Sequence, residues 1–137
     1  MKSLISIFSL AFILFACDSY KIKPKEIIGE WANAYQIQTK NADGKWGPWS
    51  YVTIYIALPN IEFTRDGKFL RGGQPGADCC SAGNLYTISN NVIKFSDFLS
   101  CPQVRCMDCH EWTINTLEND TLVLESCNTR TKYIKVK

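Results

Sequence analysis

A single histidine, His110, stands in a chain of 137 residues. A Ser-His-Asp set would therefore depend on that one side chain, which sits among cysteines, and a multi-histidine metal centre is excluded. Runs of like charge are also missing, and 15 basic against 13 acidic side chains leave a net charge of only +2. So balanced a chain offers no footprint for nucleic acid. No stretch reaches the roughly 20 consecutive apolar residues that a membrane-spanning helix needs. Helical periodicity is absent as well, which points away from bundles and α/β folds. Carboxylates such as Asp66, Asp97, Asp108, Glu111 and Glu118 fall at turns or strand ends, where solvated charge is ordinary. Nothing here resembles a nucleophile–base–acid arrangement, and the expectation is a protein that is not an enzyme.

At the start of the chain, Lys2 precedes the apolar run LISIFSLAFILF, residues 4–15. A basic start, a short apolar stretch and a small residue before the cut read as an export signal. The run ends Leu14-Phe15-Ala16-Cys17, which resembles the lipobox of bacterial lipoproteins. That resemblance implies cleavage after residue 16 and a lipid on Cys17. The expected organisation is a signal peptide at 1–16, a lipidated tether at 17–26 and one domain at 27–137. Removing residues 1–16 from 137 leaves 121, enough for a real core. The expected location is the bacterial cell envelope, with the choice between inner and outer membrane open.

Export places the domain where disulfides persist. Beyond Cys17, six cysteines remain: Cys79, Cys80, Cys101, Cys106, Cys109 and Cys127. An even number in an exported domain favours three bridges, with 15 possible connectivities. Cys79 and Cys80 are adjacent and are expected to take different partners, in the 101–109 loop or at Cys127. The stretch C106-M-D-C109-H110 also spells the attachment signature of covalent haem. Met107 is the only methionine left after the signal, and it lies inside the motif, badly placed as a second axial ligand. A zinc site could draw on Cys79, Cys106, Cys109 and His110, but a second pair with two-residue spacing is missing. The expectation is a stapled loop with no metal and no cofactor; a haem- or metal-bearing redox protein is the alternative.

Along the domain, short runs of β character alternate with turn signals. They are 27–39, 51–58, 61–64, 68–71, NLYTIS (84–89), VIKFSDF (92–98), EWTINTL (111–117), TLVLES (121–126) and KYIKVK (132–137). Asp66-Gly67 and Asn90-Asn91 are tight hairpin signals. Residues 51–58 read as a separate strand, half of a bent one, or a short helix. The fold expectation is all-β: an antiparallel up-and-down barrel of about eight strands. Alternating loops of such a barrel lie at opposite ends. The loops at 39–50, 72–83, 99–110 and 127–130 then share one end, and topology alone gathers the six cysteines there.

Gly29-Glu30-Trp31 opens the first strand as G-x-W. With IEFTRDGKFL, then Y-x-I-x-N-N-x-I-K-F, then W-x-I-N-T-L-x-N-D-T-L-V-L, it resembles the lipocalin-like domains of small bacterial lipoproteins. The resemblance covers 27–137. It implies that Gly29 and Trp31 close the barrel floor, with an Arg near the last strand packed across the indole; here the last strand offers Lys132, Lys135 and Lys137, with Arg130 just before it, and the partner is open. It also implies non-catalytic binding of a small apolar or amphipathic ligand by a monomer tethered to a membrane. Period-2 patterning puts Phe63, Phe69, Tyr86, Phe95 and Trp112 inside, where they line a cavity or fill the interior. Trp46 and Trp49 are expected at the cysteine-rich rim, as ligand contacts or as a lid. A purely structural or protein-binding envelope module is the other reading.

Overall fold

The computed structural model describes residues 24–137. The expected signal segment, Cys17 and most of the tether lie outside the described residues. A short 3-10 turn, Lys25–Ile27, leads into ten strands. These are β1 (Gly29–Thr39), β2 (Ser50–Tyr51), β3 (Ile61–Phe63), β4 (Phe69–Arg71), β5 (Gln74–Pro75), β6 (Leu85–Ser89), β7 (Val92–Ser96), β8 (Glu111–Glu118), β9 (Thr121–Ser126) and β10 (Thr129–Lys135). All pairings are antiparallel.

Nine strands follow one another around a curled half-barrel in the order β5-β4-β3-β1-β10-β9-β8-β7-β6, and β2 pairs β1 off that path. The first long strand thus meets the last, as Trp31 opposite Lys135 and Thr39 opposite Thr129. Where the flanks of the sheet approach, Phe69 N–H donates to Asn84 O at 2.8 Å and Tyr86 N–H to Gly67 O at 2.8 Å, around one bridge between Lys68 and Leu85.

Two-residue turns set the register. Asn90-Asn91 and Asn119-Asp120 hold positive φ at both positions, as the twist-matched hairpin turn requires. Between β4 and β5, Gly72 and Gly73 do the same. That small hairpin falls inside what the sequence suggests is one long loop; the Gly-Gly pair was its signal.

Residues 51–58 form neither a full strand nor a helix. Only Ser50–Tyr51 pairs, with Gln36 and Ile37. The cause lies in β1, where Tyr35 takes φ 55° and the register with β10 shifts between Asn33 and Ile37. A bulge bends its strand and breaks the ladder. After Val52 N–H bonds Tyr35 O, the chain swings outward and returns at Ile61, opposite Trp31. Tyr55 is fully exposed and Ile56 is 82 % exposed.

The interior is aromatic. Phe63, Phe69, Tyr86, Phe95 and Trp112 are all buried. Phe69 packs on Phe63 and Phe95 with centroids 5.2 Å apart, and Phe95 meets Trp112 edge-on at 4.7 Å. Tilted and edge-on contacts are the favoured geometry for such rings.

Candidate functional site

The floor is built first by the chain itself. Ile27 is fully buried, and its carbonyl accepts a 2.8 Å bond from the Trp31 indole N–H. Lys135, on the strand opposite, lays its ammonium 4.3 Å over the Trp31 ring and donates to the carbonyls of Glu26 and Ile28. The basic partner is therefore the β10 lysine. Gly29 sits at φ 122°, and a Cβ there would come within 3.0 Å of the Lys135 Nζ. The positive φ calls for glycine, and the absence of a Cβ also leaves the lysine head its room.

The other end carries the cysteines. Cys79 bridges Cys101, Cys80 bridges Cys106, and Cys109 bridges Cys127, with Cα separations of 5.6, 5.1 and 5.6 Å. The adjacent pair does take different partners, and three loops are tied to one another. The two cysteines of the C-x-x-C-H stretch go to separate loops, so neither sulfur is free for a thioether and the two do not form a dithiol pair. His110 packs its ring on Phe98 at 4.1 Å and places Nδ1 2.9 Å from Asp108. Among the described residues, no group of three or more His, Cys, Asp or Glu is placed to hold a metal ion.

Asp78 organises the first cysteine loop. Its Oδ1 accepts the backbone N–H groups of Cys80, Ser81 and Ala82 at 2.8, 2.6 and 3.2 Å. Its Oδ2 receives the Arg71 guanidinium at 2.7 Å. Burial works against the charge, but the three N–H groups and Arg71 prevail and hold the carboxyl below its ordinary range.

Beneath these loops, above the aromatic core, lies a cavity of about 490 Å³, open to solvent. That volume falls within the range of small-molecule sites. Its apolar wall comes from Met107, Trp112 and Leu124, with the bridged Cys80, Cys109 and Cys127 beside them. Its polar wall comes from Arg71, Thr131 and Tyr133, with Ser126 and Thr129 beside them. Burial pushes the Tyr133 hydroxyl up, so it is neutral at ordinary pH. The indole N–H of Trp112 is buried and has no hydrogen-bond partner among the described residues.

Of the aromatics expected to line a cavity, only Trp112 does. Phe63, Phe69, Tyr86 and Phe95 fill the interior below it, because rings this large leave the inside of the curled sheet little room. Trp46 and Trp49 are not at the cavity mouth either. The 40–49 loop folds back along the sheet, where Arg130 and Lys40 stand 4.0 and 4.7 Å over Trp46 and Lys132 stands 4.8 Å over Trp49. Thr129, Thr131 and Tyr133 face the cavity. Arg130 and Lys132 alternate with them and so point outward, taking both indoles to the outer wall.

Arg71 and Asp78 escape a reading based on aromatics alone, and Tyr133 was not among the aromatics singled out. Arg71 was detectable: it stands two residues after Phe69, so a strand that buries Phe69 turns Arg71 to the same face. The sequence matches no protein-family model, and no similar curated protein or solved structure was found.

Proposed function

We propose that this chain is a lipocalin-like, membrane-tethered lipoprotein that binds a small apolar or amphipathic molecule without catalysis. The observation that carries the reading is the cavity at the disulfide-braced end, directly above a filled aromatic core. In this reading the curled sheet is an eight-stranded barrel, closed between β4 and β6. The two hydrogen bonds from Phe69 and Tyr86 across that seam support it. So does the paired first and last strand with Trp31 under Lys135 at the floor. The lipid on Cys17 would tether the chain to the envelope, in line with the apolar run that precedes it.

The test is saturable binding of a neutral apolar fluorophore, N-phenyl-1-naphthylamine, to the oxidised full chain carrying Cys17→Ser, so that no lipid competes. One-to-one binding is expected, and Thr131→Trp, which fills the cavity, should abolish it. Absence of binding, or binding indifferent to that substitution, refutes the reading. The intact mass of the unaltered exported chain checks the rest: a lipid adduct is expected, and a haem adduct would favour the redox alternative.

A second reading, a protein-binding envelope module, draws on one observation. Tyr51, Tyr55, Ile56 and Leu58 are exposed in a segment with no charged side chain. Failure of the fluorophore to bind would turn attention to that surface.

A further inference from the structure

We infer that the cavity selects a monocarboxylate with an apolar body, its head held at Arg71 and its body laid against Trp112, Leu124 and Met107. This rests on the cavity reading above and adds the chemistry of the ligand.

Among the described residues, Arg71 is the only charged side chain on the cavity wall. A guanidinium carries five N–H donors in a rigid fork. Among the described residues, the Arg71 side chain makes one hydrogen bond, from Nη2 to Asp78. The rest of the fork has no protein acceptor. Asp78 is ionised and offsets part of that charge, but it takes up only the Nη2 edge of the fork, its carboxylate being bonded as well by three backbone N–H groups and the Ser81 hydroxyl, 3.1 Å away. The guanidinium is also fixed. Asp78 holds one edge and the Phe69 ring lies 5.5 Å from its carbon. A donor fork held in place before the ligand arrives loses little entropy on binding.

The remaining wall argues for one negative charge and not two. Among the described residues the wall carries no second cation, so a phosphate dianion would carry an unanswered charge into a half-enclosed apolar site, which is costly. Among the same residues the wall carries no carboxylate to favour a cation, and Tyr133 stays neutral. Trp112, Leu124 and Met107 supply the apolar surface on which a hydrocarbon or aromatic body would lie.

The experiment compares three ligands of one length as competitors of N-phenyl-1-naphthylamine at pH 7.5: decanoate, decanol and decylamine, each below its micelle concentration. Decanoate is expected to displace the fluorophore at about one-tenth the concentration of decanol or less, as a charge-assisted hydrogen bond implies. Decylamine should do no better than decanol. In Arg71→Met the preference for decanoate over decanol should vanish, and Arg71→Lys should restore part of it. Equal displacement by decanoate and decanol in the unaltered cavity overturns the inference and leaves the binding reading intact. So does a preference that survives in Arg71→Met. If Arg71→Met does not fold, the three-ligand comparison decides alone. If the fluorophore itself does not bind, the cavity reading falls and this inference falls with it.

Discussion

Removing the bridge between Cys109 and Cys127 isolates what one staple contributes. Both residues adjoin strands that already pair, since Trp112 stands opposite Ser126 in the β8–β9 ladder. The double substitution Cys109→Ala, Cys127→Ala therefore costs no strand contact, and its effect lies in the unfolded chain. The bridge spans 18 residues. Loop-closure entropy over that span amounts to about 3 kcal/mol. The bridge from Cys80 to Cys106 spans 26 residues, and in isolation it would be worth slightly more. It is not isolated, because Cys79–Cys101 already closes an overlapping loop of 22. With that loop closed, the second bridge shuts only a small ring, residues 79, 80 and 101–106. Its contribution falls to about 2.5 kcal/mol on the same scale. The longer span should thus be the cheaper one to lose. Urea unfolding under non-reducing conditions, followed by tryptophan fluorescence, reads both variants. If Cys80→Ala, Cys106→Ala costs more than Cys109→Ala, Cys127→Ala, the argument from overlapping loops is wrong.

Other expectations concern the floor, the seams and the turns. Lys135→Met strips the donor from the Glu26 and Ile28 carbonyls and should cost about 1–3 kcal/mol in thermal or urea unfolding, with Lys135→Arg recovering part. Gly83→Ala would drive a Cβ onto the Ser96 carbonyl, so the backbone must shift and the loss should exceed about 1 kcal/mol, well beyond that of Gly44→Ala, whose Cβ would meet nothing but whose φ of 80° already disfavours alanine. Asn91→Val forces a β-branched residue to φ 61° and should destabilise by about 1–2 kcal/mol, whereas Asn91→Gly should be tolerated. Burial, with the Asp66 charge adding, raises the Tyr86 hydroxyl, and burial raises Tyr133. The unfolded chain then ionises first, so their stabilisation is intact below about pH 10 and is lost as pH climbs above it. Burial lowers Lys135, whose effect runs the other way and rises with pH. A stability–pH curve should fall in the alkaline limb, and Tyr86→Phe should flatten that fall; an unchanged slope would contradict the assignment.

How much of this was legible depends on which force decides each element. The hairpins around Asp66-Gly67, Asn90-Asn91 and Asn119-Asp120 are local, set by turn residues and by side chains that alternate between faces, and the sequence shows both. The gathering of the cysteines follows from strand alternation, so it could be read before any contact was known. The segment YVTIYI misleads because β propensity describes a side chain's fit to a pleated surface and not the presence of a partner strand. Its fate was decided by the bulge at Tyr35, and nothing in Ala34-Tyr35-Gln36 announces positive φ. Trp46 and Trp49 misled for a similar reason: their place depended on which way Arg130 and Lys132 point. The cavity itself depends on how far the rings of Phe69, Phe95 and Trp112 fill the interior, a matter of packing that no single residue spells out. The inward arginine, by contrast, was visible in Phe69-Leu70-Arg71.

The two ends of the sheet answer to different demands. At one end, backbone conformation in Asn90-Asn91 and Asn119-Asp120 fixes which residues face one another, and a slip of one position would turn a whole strand inside out. At the other, bridges between loops hold the segments in place whatever residues lie between the cysteines. Specification of the register and shaping of the loop-borne part of the cavity wall, Cys80, Ser81, Met107 and Cys109, are thereby assigned to separate parts of the chain. Residues such as Ser81 and Met107 can change while the turns go on enforcing the register. If the cavity binds as proposed, drift in these loops would change its preference while the fold stays the same.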